Sequence, residues 1–164
     1  MQWSLQPIAV NRLIDLGMSE TLSSTFETAM PAAVWAELRF DENGLLPAIA
    51  QDAVTNAILM VAWMDRDAFE RTIATGKACY YSRSRRSQWM KGESSGHLQI
   101  LREVLIDCDG DVVLLKVEQL GGIACHTGRR NCFFRKLENA ENGKKQWVTQ
   151  FEPMKTEAEM YGER

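Results

Sequence analysis

Between Asp107 and Cys132, a span of 26 residues, the chain interleaves carboxylates, thiols and an imidazole. Asp107, Asp109 and Asp111 flank Cys108, and Cys125-His126 precedes Cys132. Thiolate sulfur selects zinc and similar soft ions, whereas carboxylate oxygen suits magnesium, calcium or manganese. The mixture predicts two unlike metals in neighbouring sites. In extended chain, Asp107, Asp109 and Asp111 share one face and Cys108 takes the other. Three like charges so close repel unless a cation neutralises them. An EF-hand loop also starts D-x-D-x-D, but its sixth position requires glycine and holds Val112 here, and the flanking segments read as strands.

Cys108, Cys125 and Cys132 are separated by 16 and 6 residues, with no C-x-x-C pair. A structural zinc site closes with four ligands, so three thiols leave one position for water, and His126 is placed to act on it as a base. Cys79, inside Ala-Cys-Tyr-Tyr, reads as a small buried hydrophobe. Hydroxyls, guanidinia and glycine amides gather in Ser82-Arg83-Ser84-Arg85 and Lys91-Gly92-Glu93-Ser94-Ser95-Gly96-His97, a composition suited to phosphate. Trp89 between them offers a ring for a base to stack on or for the core.

The elements that must hold these groups follow from pattern. Residues 1–34 read as an appendage. Asp41-Glu42-Asn43-Gly44 predicts a hairpin turn between strands at Leu38–Phe40 and Leu45–Ala50. Ala57–Trp63 is an apolar run of strand length. A helix follows, with Asp65 as N-cap, Met64 and Phe69 as staple and Gly76 as its left-handed terminus. Ala78–Ser82, Leu98–Ile106 and Val112–Val117 read as strands, which puts the acidic cluster at a strand-turn-strand junction. The body is taken as 35–137, and 138–164 as a charged tail with one Trp147-Val148 segment.

With 164 residues, 45% hydrophobic and 25% charged, the chain is that of one globular domain. The net charge of −3 argues against general nucleic-acid binding, which favours a basic domain. Basic residues nonetheless cluster without acids in 82–92 (Arg83, Arg85, Arg86, Lys91) and 121–137 (Arg129, Arg130, Arg135, Lys136), which fits capture of a small phosphate ester. No apolar run approaches the roughly 20 residues of a membrane span. The first residues lack signal-peptide character, so a cytoplasmic location and reduced cysteines are expected.

The segments YYSRSRRSQWMKGESSGHLQ, DCDGD and ACHTGRRNCFF, in that order, resemble the phosphoribosyl-AMP cyclohydrolase family of histidine biosynthesis, as do FDENGLLPAIAQD and ILMVAWMD. The resemblance covers about Leu38 to Leu137 and implies the single-function form. It implies an α+β fold, a curved and mainly antiparallel sheet with a few flanking helices, in a homodimer with metal sites at the subunit interface. It implies hydrolysis of the N1–C6 bond of the adenine ring in N1-(5-phosphoribosyl)-AMP, with zinc on Cys108, Cys125 and Cys132 shared between subunits. Magnesium falls to Asp107, Asp109 and Asp111, and the general base to His126. Substrate contacts are expected from Ser82, Arg83, Arg85, Trp89, Lys91, Glu93, Ser94, Ser95, Gly96, His97, Arg129 and Arg130. Two rival classes are a zinc-dependent purine deaminase, whose H-x-E…P-C-x-x-C signature is absent, and a non-catalytic zinc-stapled dimerisation module.

Overall fold

The computed structural model describes residues 30–162, so most of the segment read as an appendage lies outside them. A short helix α1 (Ala32–Glu37) leads into seven elements: β1 (Leu46–Asp52), β2 (Ile58–Met64), α2 (Arg66–Thr75), β3 (Cys79–Ser82), β4 (Ser87–Met90), β5 (Gln99–Ile106) and β6 (Val113–Gln119). The six strands form one sheet in the order β4-β3-β2-β1-β6-β5. Every pairing is antiparallel except β1 with β6. The sheet is therefore mainly antiparallel with few helices, as expected of an α+β fold.

Alternation makes the core. Leu46, Ala48 and Ala50 on β1 and Val113, Leu115 and Val117 on β6 are buried, and α2 covers the same face with Ala68 and Phe69. α2 begins where Asp65 accepts a hydrogen bond from the Ala68 amide, a cap worth about 0.5–2 kcal/mol. It ends at Gly76, whose φ of 64° only glycine adopts without strain. Cys79 is fully buried, and its amide donates to the Thr72 hydroxyl across the α2–β3 interface.

The predicted hairpin of Leu38–Phe40 with Leu45–Ala50 is not formed. The turn itself is real, with Asp41 accepting from the Asn43 and Leu45 amides. Leu38–Phe40 stays irregular because both edges of β1 are occupied, by β2 and β6. The 34/35 boundary falls inside α1, where Trp35 packs 5.7 Å from the Phe69 ring under the Arg66 guanidinium. The 137/138 boundary likewise cuts a second sheet, the hairpin β7 (Arg135–Asn139) and β8 (Lys145–Thr149), which precedes a last helix α3 (Glu157–Tyr161).

Candidate functional site

The β3–β4 hairpin carries the basic segment. Its turn runs through Arg86 at φ 50°, and Ser82 Oγ accepts from both the amide and Nε of Arg85. Ser87–Met90, given no element from sequence, is the edge strand β4, so Trp89 stands on the sheet beside Tyr80 at 5.2 Å between ring centroids. The guanidinium of Arg83 lies 3.3 Å over the ring of Trp63, from the end of β2. Sequence reading gave Trp63 no role, since a tryptophan in an apolar strand looks like core.

These strands wall an open cavity of about 1080 Å³. Ser82, Arg83, Arg85, Trp89, Lys91, Glu93, Ser94 and Ser95 line it, as do His126 and Cys132 from the thiol loop. Lys91 is buried, its ammonium 3.3 Å from the carbonyl of His97, and burial holds it below the usual lysine range against the raising effect of Cys132 and Cys125. A positive charge kept in so dry a place fits an anionic ligand arriving beside it.

The thiol loop is folded on itself. The Cys125 amide donates to Arg129 O, the Gly128 amide to Cys125 O, and the Cys132 amide to Leu59 O on β2. The neighbouring Cys132 thiol pulls the Cys125 thiol below its usual range against its burial, with Thr127 and His126 also lowering it. Cys132, beside Cys125 and partly desolvated, is pushed up as the thiol of the pair. Thr127 Oγ1 sits 3.0 Å from Cys125 Sγ. Cys108 is exposed on the β5–β6 turn and joins no cluster with them among the described residues.

That turn also differs from the extended arrangement read from sequence. Asp107 Oδ1 accepts from the amides of Gly110, Asp111 and Val112, so the chain curls around it, and Gly110 adopts φ 82°. The three aspartates still converge, each offering an oxygen within 4.8 Å of the others. Cys108 does not point away, since its Sγ lies 3.9 Å from Asp109 Oδ1. Asp109, then burial and Asp107, raise the Asp111 carboxyl; at Asp107, hydrogen bonds led by the Val112 amide outweigh desolvation and lower it. Gly110 O accepts from the Arg39 amide at 2.7 Å, tying the turn to the segment after α1.

Four expected contacts lie off the cavity. His97 is buried behind it, Nδ1 3.3 Å from Leu120 O, and Gly96 serves the preceding turn at φ 73°. Arg130 does not line the cavity either. Arg129 stacks 4.2 Å over Phe134 and donates to Phe151 O and Thr127 Oγ1, binding the loop to the C-terminal segment. That segment, read as a tail, returns to the cavity and adds Glu157 and Tyr161 to its wall. No local pattern in 138–164 signals this, because the contact spans the whole β7–β8 hairpin.

The donor sets fit two kinds of ion. Paired thiols, one readily ionised, suit a soft metal, and the convergent carboxylates suit a hard one.

A sequence profile described as phosphoribosyl-AMP cyclohydrolase matches residues 60–134. Similar proteins from several bacteria carry that name. The one from Thiobacillus denitrificans is 56% identical over 124 residues, covering 76% of this chain and 93% of the relative. The Bordetella parapertussis protein is 62% identical over 114 residues, covering 70% and 84%. That from Burkholderia vietnamiensis is 58% identical over 127 residues, covering 76% and 89%.

Proposed function

Since the chain belongs to the phosphoribosyl-AMP cyclohydrolase family, we propose that it hydrolyses the N1–C6 bond of the adenine ring in N1-(5-phosphoribosyl)-AMP, a step of histidine biosynthesis. The observation that carries this reading is the convergence, in one cavity, of an imidazole, a thiol, two tryptophans and three basic side chains. A volume of about 1080 Å³ suits a ligand with a purine, two riboses and two phosphates.

Cys125 and Cys132, completed by Cys108 of a second subunit, would hold zinc, and Asp107, Asp109 and Asp111 would hold magnesium. Among the described residues Cys108 shares no ligand group with Cys125 and Cys132, which supports a homodimer in which neither chain alone completes the thiol set. When bound, zinc lowers the pKa of water and magnesium offsets phosphate charge. His126 takes the proton of the attacking water, whose oxygen bonds to C6 as the N1–C6 bond breaks and N1 gains a proton. Arg83, held flat by Trp63, joins Arg85 and Lys91 in holding the phosphates. Trp89, braced by Tyr80, flanks the purine.

No helix among the described residues is long and apolar enough to cross a membrane. The reading is tested by incubating the purified, metal-loaded protein with phosphoribosyl-AMP and following the ring-opened product by its absorbance. Unchanged substrate at full metal occupancy would exclude it.

A further inference from the structure

The C-terminal segment is fastened to the thiol loop at several points. The Met154 amide donates to Gly128 O at 2.8 Å, and a Cβ on Gly128 would fall 1.8 Å from Lys155 O. Arg129 holds Phe151 O and pairs with Glu152. α3 is then set by a reciprocal cap, Thr156 with Glu159, and by burial of Met160. The result is a fixed helix whose first residue, Glu157, faces the cavity that also holds His126 and Arg83. Its side chain is exposed, and among the described residues it takes part in no salt bridge.

A carboxylate on the wall of a basic cavity, outside any salt bridge, suits hydroxyls and not phosphates. Like charge excludes it from the phosphate sites, while a vicinal diol offers it two O–H donors. We infer that Glu157 is a specificity-determining residue that accepts hydrogen bonds from a ribose cis-diol of the ligand, so that α3 separates ribonucleotides from deoxyribonucleotides. The inference rests on the proposed function only for the class of ligand, a ribonucleotide.

The test compares the affinity of the full-length, metal-loaded protein for AMP and for 2′,3′-dideoxy-AMP, in the parent and in Glu157→Gln and Glu157→Ala. The parent should prefer AMP by about 10- to 100-fold, the range for hydrogen bonds to a charged group, and both variants should lose most of that preference. With phosphoribosyl-AMP the same variants should raise KM by a similar factor and keep kcat, as uniform binding requires. Both exchanges leave the Thr156–Glu159 cap and Met160 untouched, so an unchanged melting temperature is expected. Equal discrimination in parent and variants, or none in the parent, overturns the inference. Discrimination lost in the variants of a protein that fails to open the ring would sink the proposed activity and leave the diol contact standing.

Discussion

Two turns of this chain gather side chains of metal-ligand type, and only one of them does so within a single stretch of sequence. The acidic turn gathers Asp107, Asp109 and Asp111 within 4.8 Å using a single curl of backbone around one carboxylate oxygen. The thiol loop brings Cys125 to Cys132 but leaves Cys108 on the acidic turn, beside Asp109. Hard ions accept several oxygens from a short flexible loop, so adjacency in sequence is enough. Tetrahedral thiolate sites draw ligands from separate segments, and here the segments belong to different parts of the sheet. One chain thus gathers the three carboxylates by itself, while on the proposed reading the thiol set is completed by a second copy.

The strongest way to break this contrast is to remove thiols one at a time. Cys125→Ser and Cys108→Ser should each strip zinc and lower ring opening by at least about 10²-fold, because a metal's Lewis acidity supplies several kcal/mol. Elemental analysis and kinetics decide it. Full zinc retention in Cys108→Ser would confine the site to Cys125 and Cys132. Chelation should also shift sedimentation toward monomer, since ligands split between subunits couple metal to assembly.

His126→Ala should reduce kcat by about 10²–10⁴-fold with zinc intact, the usual worth of a general base. An effect on KM alone would make His126 a binding residue.

Asp109→Asn probes the other turn: magnesium response should vanish while zinc stays. In the parent, the raised Asp111 carboxyl means that ionisation costs the fold stability through repulsion by Asp109 and Asp107. That cost is present above its folded pKa and absent below the unfolded value of 3.8. Magnesium should therefore raise the melting temperature at neutral pH, and the increment should fade as pH falls toward 3.8.

The smallest effect is expected at Lys91. Its lowered pKa means the fold disfavours the ammonium, a cost present below the folded pKa and relieved as pH rises to 10.5. Lys91→Met should be neutral to about 1 kcal/mol more stable at pH 7, with the difference from parent shrinking toward alkaline pH, yet bind phosphate-bearing ligand more weakly. Thermal melts across pH and a binding titration test the pair of effects. A clear loss of stability would show that the contact to His97 O outweighs desolvation.

Local chemistry explains what could be read in advance. α2 was legible because Asp65 and Gly76 punctuate it within a few residues, and β5 and β6 because aliphatics alternate along them. The acidic cluster was legible as a set, though not as a curl, since Gly110's positive φ is a backbone choice that its neighbours' hydrogen bonds to Asp107 make. β4 was hidden because Ser87–Met90 mixes polar and aromatic residues, and only pairing with β3 makes it a strand.

Residue types alone determined that this chain carries one hard-donor and one soft-donor set, with a histidine in the thiol loop and basic segments on either side of the acidic cluster, because ligand preference is a property of the side chain. Which of those groups share a cavity was decided by tertiary structure. Trp63 reaches the wall through the β2–β3 pairing, His97 turns inward against Gly121, and Arg129 spends its donors on Phe151 and Thr127. Glu157 enters from the far end of the chain. Contacts of that range depend on how β7 and β8 turn the chain back, and no window of sequence contains both ends of such a contact.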